Sequence, residues 1–225
     1  MKFSIAFRGI VAAFVALAAQ AVIGGTLSGS GHDFSAAGWN PGGKVCNVCH
    51  TPHKSDTTVS DAPLWNHKLT TATYTLYSSP TLKAAPMSQP GGTSKLCLSC
   101  HDGTVAIDSF GGATGSMMIS NAAFKPTSNI GTSLADDHPI GFTYDSALAT
   151  LNGSLFDPST KSVTIGTGAQ TRTATIASNM LFGGKMECSS CHDVHNTFSF
   201  NGTKGAGMVK MDTAGSKICL ACHNK

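Results

Sequence analysis

Eight cysteines occur in this 225-residue chain, and all eight fall into four Cys-x-x-Cys-His motifs: Cys46/Cys49/His50, Cys97/Cys100/His101, Cys188/Cys191/His192 and Cys219/Cys222/His223. Two thiols a short turn apart can form thioether bonds to the two vinyl groups of one porphyrin while the adjoining imidazole reaches its iron. The spelling therefore predicts four covalently bound haem c groups. A disulfide framework of eight cysteines has no use for a histidine at the same offset every time. Zinc would need tetrahedral sets drawn from two motifs each, and iron–sulfur clusters would need thiolates without attached histidines. Four copies with no cysteine left over favour haem over all three.

Covalent haem attachment requires export, and residues 1–21 read as a signal peptide. Lys2 and Arg8 form a basic end, Ile10 to Ala19 is apolar, and Ala19-Gln20-Ala21 matches a small-x-small cleavage site. No cysteine near the cut could carry a lipid anchor, and no later stretch approaches the roughly 20 apolar residues a membrane span needs. The expectation is a secreted, extracellular or outer-surface protein without stable membrane insertion, with the periplasm as the alternative.

Without Lys2 and Arg8, thirteen of the fifteen basic residues remain against twelve Asp plus Glu. Near neutrality argues against nucleic acid as a partner, which would call for a clustered basic surface. Four haems would bring eight propionates, and with all ionised a net charge of +1 becomes −7. Basic side chains are then more useful beside propionates than in surface ion pairs.

The chain is rich in turn formers and thin in large apolar groups, with 25 Gly, 11 Phe, 3 Tyr and 2 Trp. The expected fold is a multihaem cytochrome with little regular secondary structure: short helices and loops, and a small β-hairpin, wrapped around a stacked haem chain. Removal of the haems should leave the polypeptide largely unfolded. Residues 22–225 read as one tetrahaem domain, divisible into haem-pair halves 22–135 and 136–225. Ser162 to Gly166 and Thr173 to Ala177 alternate as a hairpin does, and Leu64 to Tyr77 suggests short helical turns around His67. Gly24 to Gly31 reads as a mobile arm leading to His32.

A six-coordinate bis-histidine haem takes one proximal and one distal imidazole, so four need eight histidines, and the chain has nine. With His50, His101, His192 and His223 proximal, the distal candidates are His32, His53, His67, His138 and His195. His53 and His195 share a feature: each lies three residues beyond a proximal ligand, in CNVCHTPH and CSSCHDVH. On one helical turn the two imidazoles of such a pair would serve two closely packed haems rather than one iron. His138 is held before Pro139, and His32 and His67 compete for the remaining seat. Methionine can also ligate haem iron, but Met87, Met117, Met118, Met180, Met186, Met208 and Met211 read as packing residues.

Saturated irons bind no substrate, so the chain reads as an electron carrier, not an enzyme. A nitrite or tetrathionate reductase would need an open iron, and no lysine replaces a proximal histidine here. A monomeric periplasmic shuttle shares every motif and remains an alternative.

CNVCHTPH, PLWNH at Pro63 to His67, YTLYSSPTL at Tyr74 to Leu82, LCLSCHDGTVAIDSFG at Leu96 to Gly111, DDHPIGF at Asp136 to Phe142 and the closing CLACHNK resemble the doubled-CXXCH multihaem cytochromes of metal-reducing bacteria. The resemblance is to the tetrahaem members that polymerise into extracellular nanowires, and it covers nearly all of the chain after residue 21. It implies bis-histidine haems stacked in an unbroken line, with one histidine able to complete a haem in the next subunit. Implied partners are further copies of the chain, other multihaem cytochromes and extracellular acceptors such as metal oxides. His32 and His53 are the candidates for the crossing residue.

Overall fold

Short helices are separated by long stretches of irregular chain in the computed structural model, which describes residues 27–59, 62, 64–84, 87–200 and 207–225. The signal-peptide reading of residues 1–21 lies outside these residues. Among those described, no helix is long and apolar enough to cross a membrane. The longest, α1, is Gly92–His101 and carries the second motif. Four shorter ones follow: α2 Ser146–Asn152, α3 Ile176–Met180, α4 Cys188–Cys191 and α5 Lys217–Leu220. The one sheet among the described residues is an antiparallel hairpin of β1 Ser162–Thr167 and β2 Gln170–Thr175. Few helices, one two-stranded sheet and mostly loops are what the composition led us to expect.

Local chemistry accounts for the boundaries. Asp145 caps α2, its carboxylate accepting from the Leu148 N–H at 2.8 Å, and Gly153 at φ +71° ends it with an N–H to the Ala149 carbonyl. Thr175 closes β2 and caps α3, its hydroxyl accepting from the Ser178 N–H at 3.2 Å. Val163 and Ile165 alternate inward from β1. Val163 joins a core of Tyr144, Leu148, Ile176, Met180 and Met186, with Ala221 and Cys222 beside the fourth motif. A second, smaller cluster gathers Tyr74, Leu98 and Leu134 around α1.

Neither cluster respects residue 135. Leu82 and Ala84 pack into the first, which otherwise comes from residues 142 to 222, and Ile140 packs against the second. The segments before and after residue 135 are thus interleaved.

Two local expectations are corrected. Residues 64–77 contain no helical turns around His67 but extended chain, with bridges pairing Trp65 to His50, His67 to Phe110 and Thr75 to Ser133. The backbone finds partners far away in sequence: Asn66 N–H to Cys49 O at 2.9 Å and Lys68 N–H to Ser109 O at 2.8 Å. The arm before His32, so far as it is described, is a folded turn. Ser30 is buried, its N–H donating to Leu27 O at 2.9 Å, and Gly29 N–H donates to the Asp33 carboxylate at 2.8 Å.

Candidate functional site: four thiol-imidazole turns in series

The four motifs share one turn. The histidine N–H donates to the carbonyl of the first cysteine in motif one (His50 to Cys46, 2.8 Å), motif three (His192 to Cys188, 3.1 Å) and motif four (His223 to Cys219, 3.0 Å). Motif two forms the last turn of α1. Each motif then runs into chain stitched to a remote segment: motif one to Trp65, motif three to Val209 and motif four to Leu155 by bridges, and motif two by Ile130 N–H to His101 O at 2.7 Å. None of the eight cysteines is paired in a disulfide.

Neighbouring thiols order the motifs. Burial raises the Cys100 thiol pKa and Cys49 adds to the effect; the Cys97 thiol is raised by its hydrogen bond to Cys188; burial raises Cys191, with Cys219 contributing. Cys97 thus meets Cys188, and Cys49 and Cys219 lie near enough to Cys100 and Cys191 to be felt electrostatically, so that each motif influences the next. Burial also pushes Cys49 up to about 11 and Cys222 up to about 12. Among the described residues no three His, Cys, Asp or Glu gather to hold a metal ion. A porphyrin would ask each motif for two thiols and one imidazole and would bring its own iron, and each motif presents that set on one turn.

Motifs two and three are joined most tightly. Helix α1 has no side-chain cap of its own at Gly91, and the chain's only glutamate supplies one from 93 residues away. Buried Glu187 accepts from the Ser94 N–H at 3.2 Å, while the Ser94 hydroxyl accepts from the Cys188 N–H at 3.0 Å. Thr93 and Ser189 hydroxyls meet at 2.5 Å, and Glu187 and Ser190 form a capping box on α4. Orphan N–H groups at two helix starts are thus satisfied reciprocally.

A second buried network braces the end of α1. The Asp102 carboxylate accepts from the hydroxyls of Thr70 and Tyr74, each at 2.6 Å, and from the Thr104 N–H and hydroxyl at 2.7 and 2.8 Å. Burial works to raise the Asp102 pKa, but the hydrogen bonds from Thr70, Tyr74 and Thr104 outweigh it and hold the carboxyl below its ordinary range.

The histidines divide into groups. His195 stacks on His50 at 6.1 Å with an 18° interplanar angle, and His32 lies edge-on to His101 at 6.0 Å. The His32 pKa is pushed down to about 4 by burial first, then by His101, His192 and His195. One distal candidate from the N-terminal arm and one from the second HxxH thus gather with the proximal residues of motifs one to three. His223 lies apart, its pKa lowered by burial and then by His138. Lowered values keep imidazoles neutral, the state in which they ligate metal.

Ring tautomers are set by the backbone. Nδ1 of His101 donates to Ser128 O at 2.7 Å, that of His192 to Gly207 O at 2.5 Å and that of His138 to Pro139 O at 2.9 Å. Each donation leaves Nε2 as the basic nitrogen. His67 differs: its Nδ1 lies 2.9 Å from Lys68 O and its Nε2 3.1 Å from Ala106 O. Cys100 Sγ is 3.5 Å from the same Nε2, so His67 sits against the second motif's thiol.

Neither HxxH occupies a helical turn, contrary to the geometry assumed for it. His192 already has extended φ/ψ at the end of α4, and residues 50–53 are not helical. Pro52 and the bridge at Trp65 draw the first pair out. Consequently both His53 and His195 are exposed, and His195 reaches His50 of the other half. The sequence reading did not foresee the Glu187 clasp or the Asp102 network. A sole glutamate directly before a CxxCH motif, with serine three residues on, was the available signal. The chain matches no protein-family model and no curated protein.

Proposed function

We propose that this chain is a tetrahaem c-type cytochrome that carries electrons along four bis-histidine haems, as the subunit of an extracellular filament delivering them to acceptors such as metal oxides. The observation that carries the reading is the repeated turn, two thiols and one imidazole four times over, with successive motifs near enough for their thiols to influence one another in the order one, two, three, four. Haems covalently held at such motifs would lie in series, close enough for direct transfer from one to the next. His50, His101, His192 and His223 would be the proximal ligands. His32 and His195 lie among the first three motifs, and His138 lies beside His223.

Nine histidines for eight axial seats leave one free to leave the subunit. Of the two crossing candidates, His32 is half-buried against His101 and His53 is exposed, so His53 is the residue assigned to a haem of the neighbouring copy. Covalent haem counting by mass spectrometry of protein made with the attachment machinery should give four, and electron paramagnetic resonance should show only low-spin ferric iron. A substantial high-spin signal would revive the reductase reading. Negative-stain microscopy of extracellular material should show filaments, and uniformly monomeric particles at high concentration would favour the shuttle. In His53→Ala, filaments should be lost while haem content stays at four.

A further inference from the structure

We infer that Trp65 is the hydrogen-bond donor to a propionate of the porphyrin carried by Cys46 and Cys49. The inference rests on the haem reading above and gives that reading a specific anchoring residue. Among the described residues only two buried side-chain polar atoms lack a hydrogen-bond partner, and both belong to the surroundings of the first motif: Trp65 Nε1 and Asn47 Oδ1. An indole N–H can only donate, and a buried one ordinarily finds an acceptor. Trp65 is 8% exposed, so bulk water is not that acceptor.

Its position is held from both sides. The Trp65 backbone bridges to His50 and to Asp56, whose N–H donates to Trp65 O at 2.7 Å. The next residue, Asn66, donates its backbone N–H to Cys49 O at 2.9 Å and its side-chain amide to the Asn47 carbonyl. These bonds keep the indole beside the proximal imidazole, ring centroids 6.3 Å apart and planes at 88°. A tryptophan locked next to His50 with an unused donor suits an anionic, acceptor-only group arriving with the porphyrin, and an ionised propionate is such a group. Packing alone would be served as well by phenylalanine.

Donation to the propionate spreads its negative charge and disfavours the ferric state of that haem. In Trp65→Phe holoprotein, one of the four haems should therefore become harder to reduce. We expect a threefold change in its reduction equilibrium, about 28 mV at 59 mV per tenfold for one electron, with the other three unmoved. A carboxylate band in the redox-difference infrared spectrum should shift with it. Four unchanged potentials and an unchanged carboxylate band, in protein still carrying four low-spin haems, would overturn the inference and leave the electron-transfer reading standing. Absence of covalent haem from the wild-type protein would instead sink the reading. A measurement on wild-type protein guards against a variant that does not fold: the Trp65 indole resonance of the fully reduced form should be displaced downfield and protected from exchange. An indole signal exchanging freely with water would count against propionate as the acceptor.

Discussion

The joint between motifs two and three and the outer motifs one and four are built differently. At the joint, two helices carry the cysteines, and Glu187, Ser94, Thr93, Ser189 and Ser190 satisfy one another's groups across it. Asp102 braces the far end of α1 with four accepted hydrogen bonds. Motif one is held by main-chain stitching and the side-chain amides of Asn66 and Asn47, beside two polar atoms with no partner. Motif four sits on the four-residue α5, with Cys219 exposed and a solvent-facing Lys217–Asp212 pair nearby. The polypeptide completes its own hydrogen bonds where the two halves meet. At motif one it leaves Trp65 Nε1 and Asn47 Oδ1 for something else to complete, which, on the reading proposed above, would be the cofactor.

Breaking the joint should cost most. Asp102→Ala strands the buried hydroxyls of Thr70 and Tyr74, and we expect about 3 kcal/mol of lost stability in denaturant titration, since each unsatisfied buried donor costs ~1–3 kcal/mol. Glu187→Ala uncaps α1 and α4 together, at about 2 kcal/mol. It should also weaken the excitonic splitting of the Soret circular dichroism, which reads haem–haem geometry. Glu187→Gln, still able to accept from Ser94, should keep that splitting; if both variants behave alike, the clasp does not set the spacing.

Lys210 tests a smaller effect nearer motif three. It is buried, its ammonium donating to Asn179 O at 3.1 Å. Burial pushes its pKa down to about 8, partly opposed by Asp193. Because the folded value is below the unfolded one, the unfolded chain binds more protons between them. Stability should therefore rise with pH from about 8 toward 10.5. Lys210→Met should flatten that rise, as followed by thermal melts across the range. Smallest of all, Asp212→Asn near motif four removes an exposed pair and should leave the melting temperature unchanged.

Much of the secondary structure was legible. The hairpin follows from alternation in Ser162 to Gly166 and Thr173 to Ala177; the second strand ends at Thr175, which is recruited as the cap of α3, and pairing extends toward the turn to Thr167 and Gln170. The four thiol-imidazole turns were equally plain, since each is closed within five residues. Residues 64–77 were misread as helical because their partners, Cys49, Ser109 and Thr132, are supplied by other segments. His53 and His195 look alike in sequence and both are exposed, yet His195 also stacks on His50, a contact that only the folding of distant segments supplies.

The sequence by itself determined which chemistry the chain can hold: thiol pairs with an adjoining imidazole are local, and spelling suffices to define them. Tertiary structure alone decided which motif meets which, that Glu187 serves a helix 93 residues away, and that an indole beside His50 is left with a proton to donate. Those outcomes depend on burial and on hydrogen bonds between distant segments, where an unsatisfied group is costly and its partner need not be near in the chain.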